Sequence, residues 1–142
     1  MKWIEVPENV WSVYDGLAAE QLLTERPAGA DPVCILWRGS AAVVMGKNQN
    51  PWRELHLEEV RAENVPLARR ISGGGTVYHD PGNLNLSWIL PREDYDANRI
   101  HGVFLQVLED LGLKGTPGVS GGLRVNGKKI SERNFDRLAA AT

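Results

Sequence analysis

In the run LARRISGGGTVYHDPGNLNLS, residues 67–87, two adjacent arginines lead into three consecutive glycines. Glycine lets a backbone turn tightly or approach a bound group closely. Successive backbone N–H groups in such a turn make a concavity that suits an anion. Arg69 and Arg70 beside Gly73, Gly74 and Gly75 add charge of the matching sign. The common glycine-loop chemistries do not fit this run. A Walker A loop reads GxxxxGK[ST] and opens a helix, and the dinucleotide pattern reads GxGxxG. A GxSxG nucleophile elbow fails because Arg70 stands where its first glycine belongs.

Further along the run, Asn83, Asn85 and Ser87 fall on one face of an alternating segment, and Leu84, Leu86 and Trp88 on the other. A strand with amides on one face either meets water or lines a polar site, and His79 lies just upstream. The residues alone leave both readings open. His56 and Glu59 are three apart, but a single pair of this kind is no metal site. Ser72, His79 and Asp80 make no catalytic set by spacing, because adjacent strand residues point to opposite faces.

The elements that must hold this run are legible around it. SVYD at 12–15 resembles a capping box with Asp15 in the usual place of glutamate, followed by a helical face of Val13, Leu17, Ala18, Leu22 and Leu23. VCILW and AAVVMG read as strands joined by RGS. NPW at 50–52 reads as a helix start, with Asn50 as cap and Pro51 at the first helical position, and a further helix is expected near 57–64. A strand is expected at 66–71 and extended segments at 76–79 and 83–90. Ile100, Val103, Phe104, Val107, Leu108 and Leu111 have helical spacing over 96–113, with Gly112 and Gly115 as stops. TPGVSGG reads as a loop, and LRVNGKKIS as a hairpin turning at Asn126 and Gly127. Strands and helices mix without βαβ alternation, which predicts an α+β fold: a mixed, largely antiparallel sheet flanked by helices.

A chain of 142 residues fits one compact domain. A net charge of −2 argues against a general nucleic-acid binder. Cys34 is the only cysteine, so no disulfide forms within the chain, and a reducing, cytoplasmic setting is expected. The first residues lack the apolar core of a signal peptide, and no apolar run is long enough for a membrane helix.

The segment RRISGGGTVYHDPGNLN closely resembles the signature of the lipoate–protein ligase A family. The likeness extends upstream to GKNQNPWRE at 46–54 and to the opening helix with Asp15, Leu17, Ala18 and Glu20, and downstream to VNGKKIS at 125–131. It implies the catalytic fold shared with biotin ligases, here incomplete, over residues 1–131. It also implies a two-step reaction: lipoate attacks the α-phosphate of ATP, giving lipoyl-AMP, and a lysine amine of an acceptor protein then attacks the adenylate. The resemblance implies that Lys129 is the catalytic cation and that Arg70 contacts the nucleotide. It places Gly75, Thr76, Val77 and Tyr78 along the adenylate, and makes Gln49, Gly73, Gly74, His79 and Asn83 further pocket candidates. Val44, Val77 and the tryptophans are candidates for an apolar acyl slot. Mg²⁺ is expected with ATP, although no metal ligand can be named. The implied acceptors are lipoyl domains of 2-oxoacid dehydrogenases or the glycine-cleavage H protein.

Residues 132–142 depart from the family pattern, and Glu132 stands where glycine is expected. The chain therefore reads as a truncated or frame-shifted member with a divergent tail. A non-catalytic remnant that binds lipoate or its adenylate, or a subunit needing a second chain, is the alternative to an active ligase. An octanoyltransferase would use a cysteine nucleophile, but the matching loop offers Ser120, and Cys34 lies far upstream. The arginine–glycine-rich adenylate loop of biotin ligases is absent.

Overall fold

The computed structural model describes residues 2–5, 10–27, 29–118 and 122–131. The chain divides into two units, with the boundary between Arg92 and Glu93 among the described residues. The tail at 132–142 lies outside the described residues.

In the first unit, helix α1 (Val13–Thr24) begins with Ser12 as its N-cap, while Asp15 bonds the Ser12 hydroxyl in place of the backbone N–H a capping box would use. Ser12 Oγ accepts from the Asp15 N–H at 3.1 Å and donates to Asp15 Oδ2 at 2.7 Å. One three-stranded sheet has the order β1 (Lys2–Glu5), β2 (Val33–Arg38), β6 (Leu84–Ile89), with β1 parallel and β6 antiparallel to β2. The other has the order β4 (Leu67–Arg69), β3 (Ala42–Met45), β5 (Val77–His79), with β4 parallel and β5 antiparallel to β3. The strands joined by RGS thus enter different sheets. The strands divide among three sheets, two here and one in the second unit, and their pairing is mixed and largely antiparallel, as expected.

Helix α1 serves both sheets of its unit. Val13 and Leu17 pack with Ala42, Val44, Ala68 and Val77 of one. Leu23 packs with Val33, Ile35, Trp37 and Ile89 of the other. Gly16 is where the helix crosses Trp37: a Cβ there would strike the indole ring. Leu22, expected on the helix's apolar face, is 67% exposed. Asn50 caps α2 (Pro51–Glu54) through Trp52 N–H, but that helix lasts a single turn, and α3 (Leu57–Ala62) follows.

In the second unit, Asp96 caps α4 (Ala97–Asp110) through the N–H groups of Asn98 and Arg99. The helix ends in a Schellman turn: the Leu113 N–H donates to Leu108 O and the Gly112 N–H to Glu109 O, with Gly112 at φ +73°. Thr116 and Pro117, expected in a loop, belong to strand β7 (Gly115–Pro117), which pairs with β8 (Leu123–Val125). Gly115 lies under Leu105 and Leu108 of α4. Strand β9 (Lys128–Lys129) completes the expected hairpin. Its turn residues Asn126 and Gly127 both have positive φ, 51° and 76°, as a two-residue turn of the I′ kind demands.

Candidate active site

The two arginines that precede the glycines fix the glycine loop and the segment at 46–49. They leave β4 on opposite sides and serve different loops. Arg70 is only 5% exposed. Its guanidinium donates to Gly73 O through Nε (3.2 Å) and Nη2 (2.7 Å), to Gly75 O (2.8 Å) and to Val44 O (3.3 Å). Arg69 Nη1 donates to the carbonyls of Gly46, Lys47 and Gln49 at 2.9, 3.0 and 2.8 Å. The segment at 46–49 is in turn stitched to the glycine loop. The Lys47 N–H donates to Ser72 O at 2.9 Å, and a Cβ on Gly46 would collide with the carbonyl of Gly74.

The carbonyls of Ser72, Gly73 and Gly75 are all satisfied by protein donors. None of these bonds uses the N–H group of Gly73, Gly74 or Gly75. Successive backbone N–H groups in a glycine-rich turn are a kind of concavity that suits an anion. Gly74, at φ +98°, sits where an L side chain is strained.

The remaining first-unit candidates lie along the loop's exit. Thr76 Oγ1 and His79 Nδ1 are buried without a hydrogen-bond partner. Burial, and then the charge of Arg70, hold the His79 imidazole below its usual pKa, so it favours the neutral form. Val77 packs on the core and Val44 is fully buried, so both are core residues in this structure. Tyr78, on the other face of β5, is 56% exposed. Asn83 closes a turn: its Oδ1 accepts from the Asp80 N–H at 3.3 Å. With its amide turned so that the nitrogen faces Glu54, Gln49 donates to both carboxylate oxygens, at 3.0 and 2.7 Å. A cavity of about 290 Å³ between α1 and β4, lined by residues including Tyr14, Leu17, Gln21 and Arg69, contains none of the other candidates.

A half-buried polar group was missed at the sequence level. Glu20 Oε1 accepts from Ser87 Oγ and, at 3.3 Å, from Trp37 Nε1. Trp37 is 2% exposed, and its ring meets His79 edge-on at 6.5 Å between centroids. Burial raises the Glu20 carboxyl above its usual value, while the bonds from Ser87 and Trp37 and the Arg70 charge oppose that shift. Asn85 Nδ2 on the same strand is buried without a partner. The amide-bearing face of 83–88 therefore meets α1 in its inner part and is no solvated hairpin. The alternation of Asn85 and Ser87 was the available signal; nothing in α1 marked Glu20 as their neighbour.

Lys129 lies in the second unit, exposed on β9 opposite Arg124. Lys128 is also exposed. Cys34 is fully buried on β2, and burial pushes its thiol up to about 11, so it is no nucleophile at neutral pH. Ser120 lies outside the described residues. No group of three or more metal-binding side chains occurs among the described residues, and no helix there is long and apolar enough to cross a membrane.

Residues 12–136 match the model of the lipoyl protein ligase A/B catalytic domain. The chain belongs to this family. A lipoate–protein ligase A of Psychrobacter cryohalolentis is 40% identical over 104 residues, which are 73% of this chain and 31% of that protein. The mitochondrial lipoyl amidotransferase LIPT1 of Mus musculus is 46% identical over 85 residues, 59% of this chain and 23% of that protein. Among solved structures, Plasmodium falciparum LipL1 in complex with lipoate gives a TM-score of 0.83 at 24% identity, which establishes the fold, and covers 97% of this chain and 44% of that one. A bi-partite lipoate protein ligase from Thermoplasma acidophilum, described with its E2 lipoyl domain, gives 0.77 at 28% identity over 90% of this chain and 52% of that one. A lipoate-protein ligase A bound with ATP gives 0.72 at 29% identity, over 90% and 57%. The chain thus spans under a third of these curated relatives and about half of the solved chains.

Proposed function

We propose that the chain carries the adenylate-forming part of a lipoate–protein ligase. The observation that carries this reading is the glycine loop, whose carbonyls are gathered by Arg70 and Lys47 while the N–H groups of 73–75 take no part in those bonds. In the first step, a lipoate carboxylate oxygen attacks the α-phosphate of ATP. Pyrophosphate leaves, and lipoyl-AMP remains. The loop N–H groups receive phosphate oxygens, and Arg70 shapes the loop while its charge favours the anion. Gly75, Thr76, Val77 and Tyr78 run along the adenylate, with Gly73, Gly74, His79, Asn83 and Gln49 ordering the pocket around it. Lys129 supplies a cation where negative charge grows, a contribution of several kcal/mol at sites of this kind. Mg²⁺ accompanies ATP and offsets its charge. In the second step a lysine amine of an acceptor attacks the acyl carbonyl, an amide forms and AMP leaves.

The ATP-bound relative supports ATP as co-substrate, and the relative described with its E2 lipoyl domain supports lipoyl domains as acceptors; on this reading the acceptors are lipoyl domains of 2-oxoacid dehydrogenases or the glycine-cleavage H protein. The bi-partite relative supports completion of the enzyme by a second chain. A second reading, transfer of an already activated lipoyl group without ATP, is favoured by the likeness to a lipoyl amidotransferase.

The test mixes the 142-residue chain with ATP, Mg²⁺ and lipoate and follows lipoyl-AMP by mass spectrometry. Its appearance, and its loss in Lys129→Ala with the fold retained, supports the ligase. No adenylate from a folded sample, together with lipoyl transfer from supplied lipoyl-AMP to a lipoyl domain, favours the transferase. Binding of lipoyl-AMP without either reaction favours the remnant or the incomplete subunit.

A further inference from the structure

Lys129 is the last residue of the two-residue strand β9, so little regular ladder holds it. The two residues after it supply the hold. The Ile130 N–H donates to Leu123 O at 2.9 Å. The Leu123 N–H then donates to Ser131 Oγ at 2.9 Å, a side chain standing where a ladder would offer a carbonyl. Leu123 is 3% exposed, so solvent is a poor substitute and the hydroxyl satisfies this donor. Both backbone polar groups of Leu123 are therefore tied to the residues that follow the lysine.

Gly122 completes the arrangement from the facing strand. It is buried, and its carbonyl accepts from the Gly118 N–H at 2.7 Å. A Cβ added there would collide with the carbonyl oxygen of Ser131 and would lie 3.4 Å from Lys129 Cε. The lysine stem thus runs beside bare backbone. A lysine has many rotamers to lose on ordering, and a flat neighbour together with a fixed strand end reduces the number available.

We propose that Gly122 and Ser131 are positioning residues for Lys129: Ser131 fixes the strand end that carries the lysine, and Gly122 leaves the space along which its stem lies. This rests on the reading of Lys129 as the catalytic cation. Lys128, also exposed on β9, is the internal control.

The 142-residue chain is treated with a limiting amine-acetylating reagent, and peptide mass spectrometry gives the ratio of Lys129 to Lys128 modification. Ser131→Ala and Gly122→Ala are each expected to change that ratio at least about threefold, because positional ordering governs access of the amine. Ser131→Thr, which keeps the hydroxyl, is expected to stay near wild type. In parallel, Ser131→Ala is expected to lower kcat for lipoyl-AMP formation about tenfold, with KM for ATP little changed. A ratio indifferent to Ser131→Ala, or not rescued by threonine, overturns the proposal. Should Gly122→Ala fail to fold, the Ser131 pair decides it. Failure of the ligase reading shows elsewhere, as undiminished lipoyl-AMP formation by Lys129→Ala.

Discussion

The glycine loop and the lysine hairpin are both short, glycine-containing turns, and they are held in opposite ways. The hairpin is self-contained. Asn126 and Gly127 take the positive φ its turn needs, Arg124 Nη1 donates to Gly127 O at 2.8 Å, and Ser131 reaches back eight residues to Leu123. The glycine loop depends on distant chain. Arg70 links it to Val44, Arg69 fixes the 46–49 segment, and Gly46 meets Gly74 across the gap. A locally held turn keeps its shape when the protein around it is altered. A loop held from afar loses its shape when a single buried anchor goes.

The largest effect is therefore expected at Arg70. Arg70→Met removes the donor for three carbonyls, at Val44, Gly73 and Gly75. It should cost about 3 kcal/mol, since buried polar groups left without partners are expensive. Arg69 is exposed, so water replaces much of what its loss removes, and Arg69→Met should cost about 1 kcal/mol. Urea unfolding of the two variants gives both numbers; equal losses would mean that burial of Arg70 does not set its importance. Nucleotide binding should follow the same order, because the loop shape falls with Arg70.

Next comes the contact between the two loops. Gly46→Ala places a methyl against backbone that cannot swing aside, and should cost about 2 kcal/mol. Nothing lies within 4 Å of an added Cβ at Gly127, so Gly127→Ala meets only the strain of its φ of +76° and should cost about 1 kcal/mol. Thermal melts of both variants test the ranking. A Gly127→Ala loss larger than that of Gly46→Ala would refute the claim that the hairpin is the more tolerant region.

The same distinction explains what the sequence made legible. The hairpin, the N-cap at Ser12 and the stop at Gly112 rest on bonds spanning a few residues, and each appears where its residues stand. The α+β class and the glycine loop's place between two extended segments were readable for the same reason. What was not readable spans long separations. RGS joins strands of two sheets because α1 offers a separate apolar patch to each, Val13 with Leu17 and then Leu23. Arg70 was expected to face a nucleotide, and the structure adds a set of backbone carbonyls on which its guanidinium already rests. Val44 and Val77, candidates for an acyl slot by type, are core residues because β3 and β5 pair beneath the helix.

Glu20 is another group held from afar, and its effect is the smallest of those expected. It lies in α1, bonds to Trp37 and Ser87 of one sheet, and feels the charge of Arg70 beside the other. Burial raises its carboxyl above the usual 4.5, so the folded chain ionises later than the unfolded one. Below about pH 4.5 the group is protonated in both states and its titration adds nothing. As pH rises through that value the unfolded chain loses the proton first, the folded state binds more protons, and stability falls until the folded carboxyl also ionises. Glu20→Gln can still accept from Trp37 and can donate to Ser87, but it does not titrate. Its urea midpoint should therefore gain on wild type between pH 4 and pH 7. A gap that stays constant over that range would show that the raised carboxyl carries no linkage. Arg70 opposes the shift, so the pH-dependent gain should grow in an Arg70→Met background, provided that protein still folds. A gain unchanged by the loss of Arg70 would mean that the loop's anchor and the buried carboxyl act independently, and that the first unit is held by two separate devices.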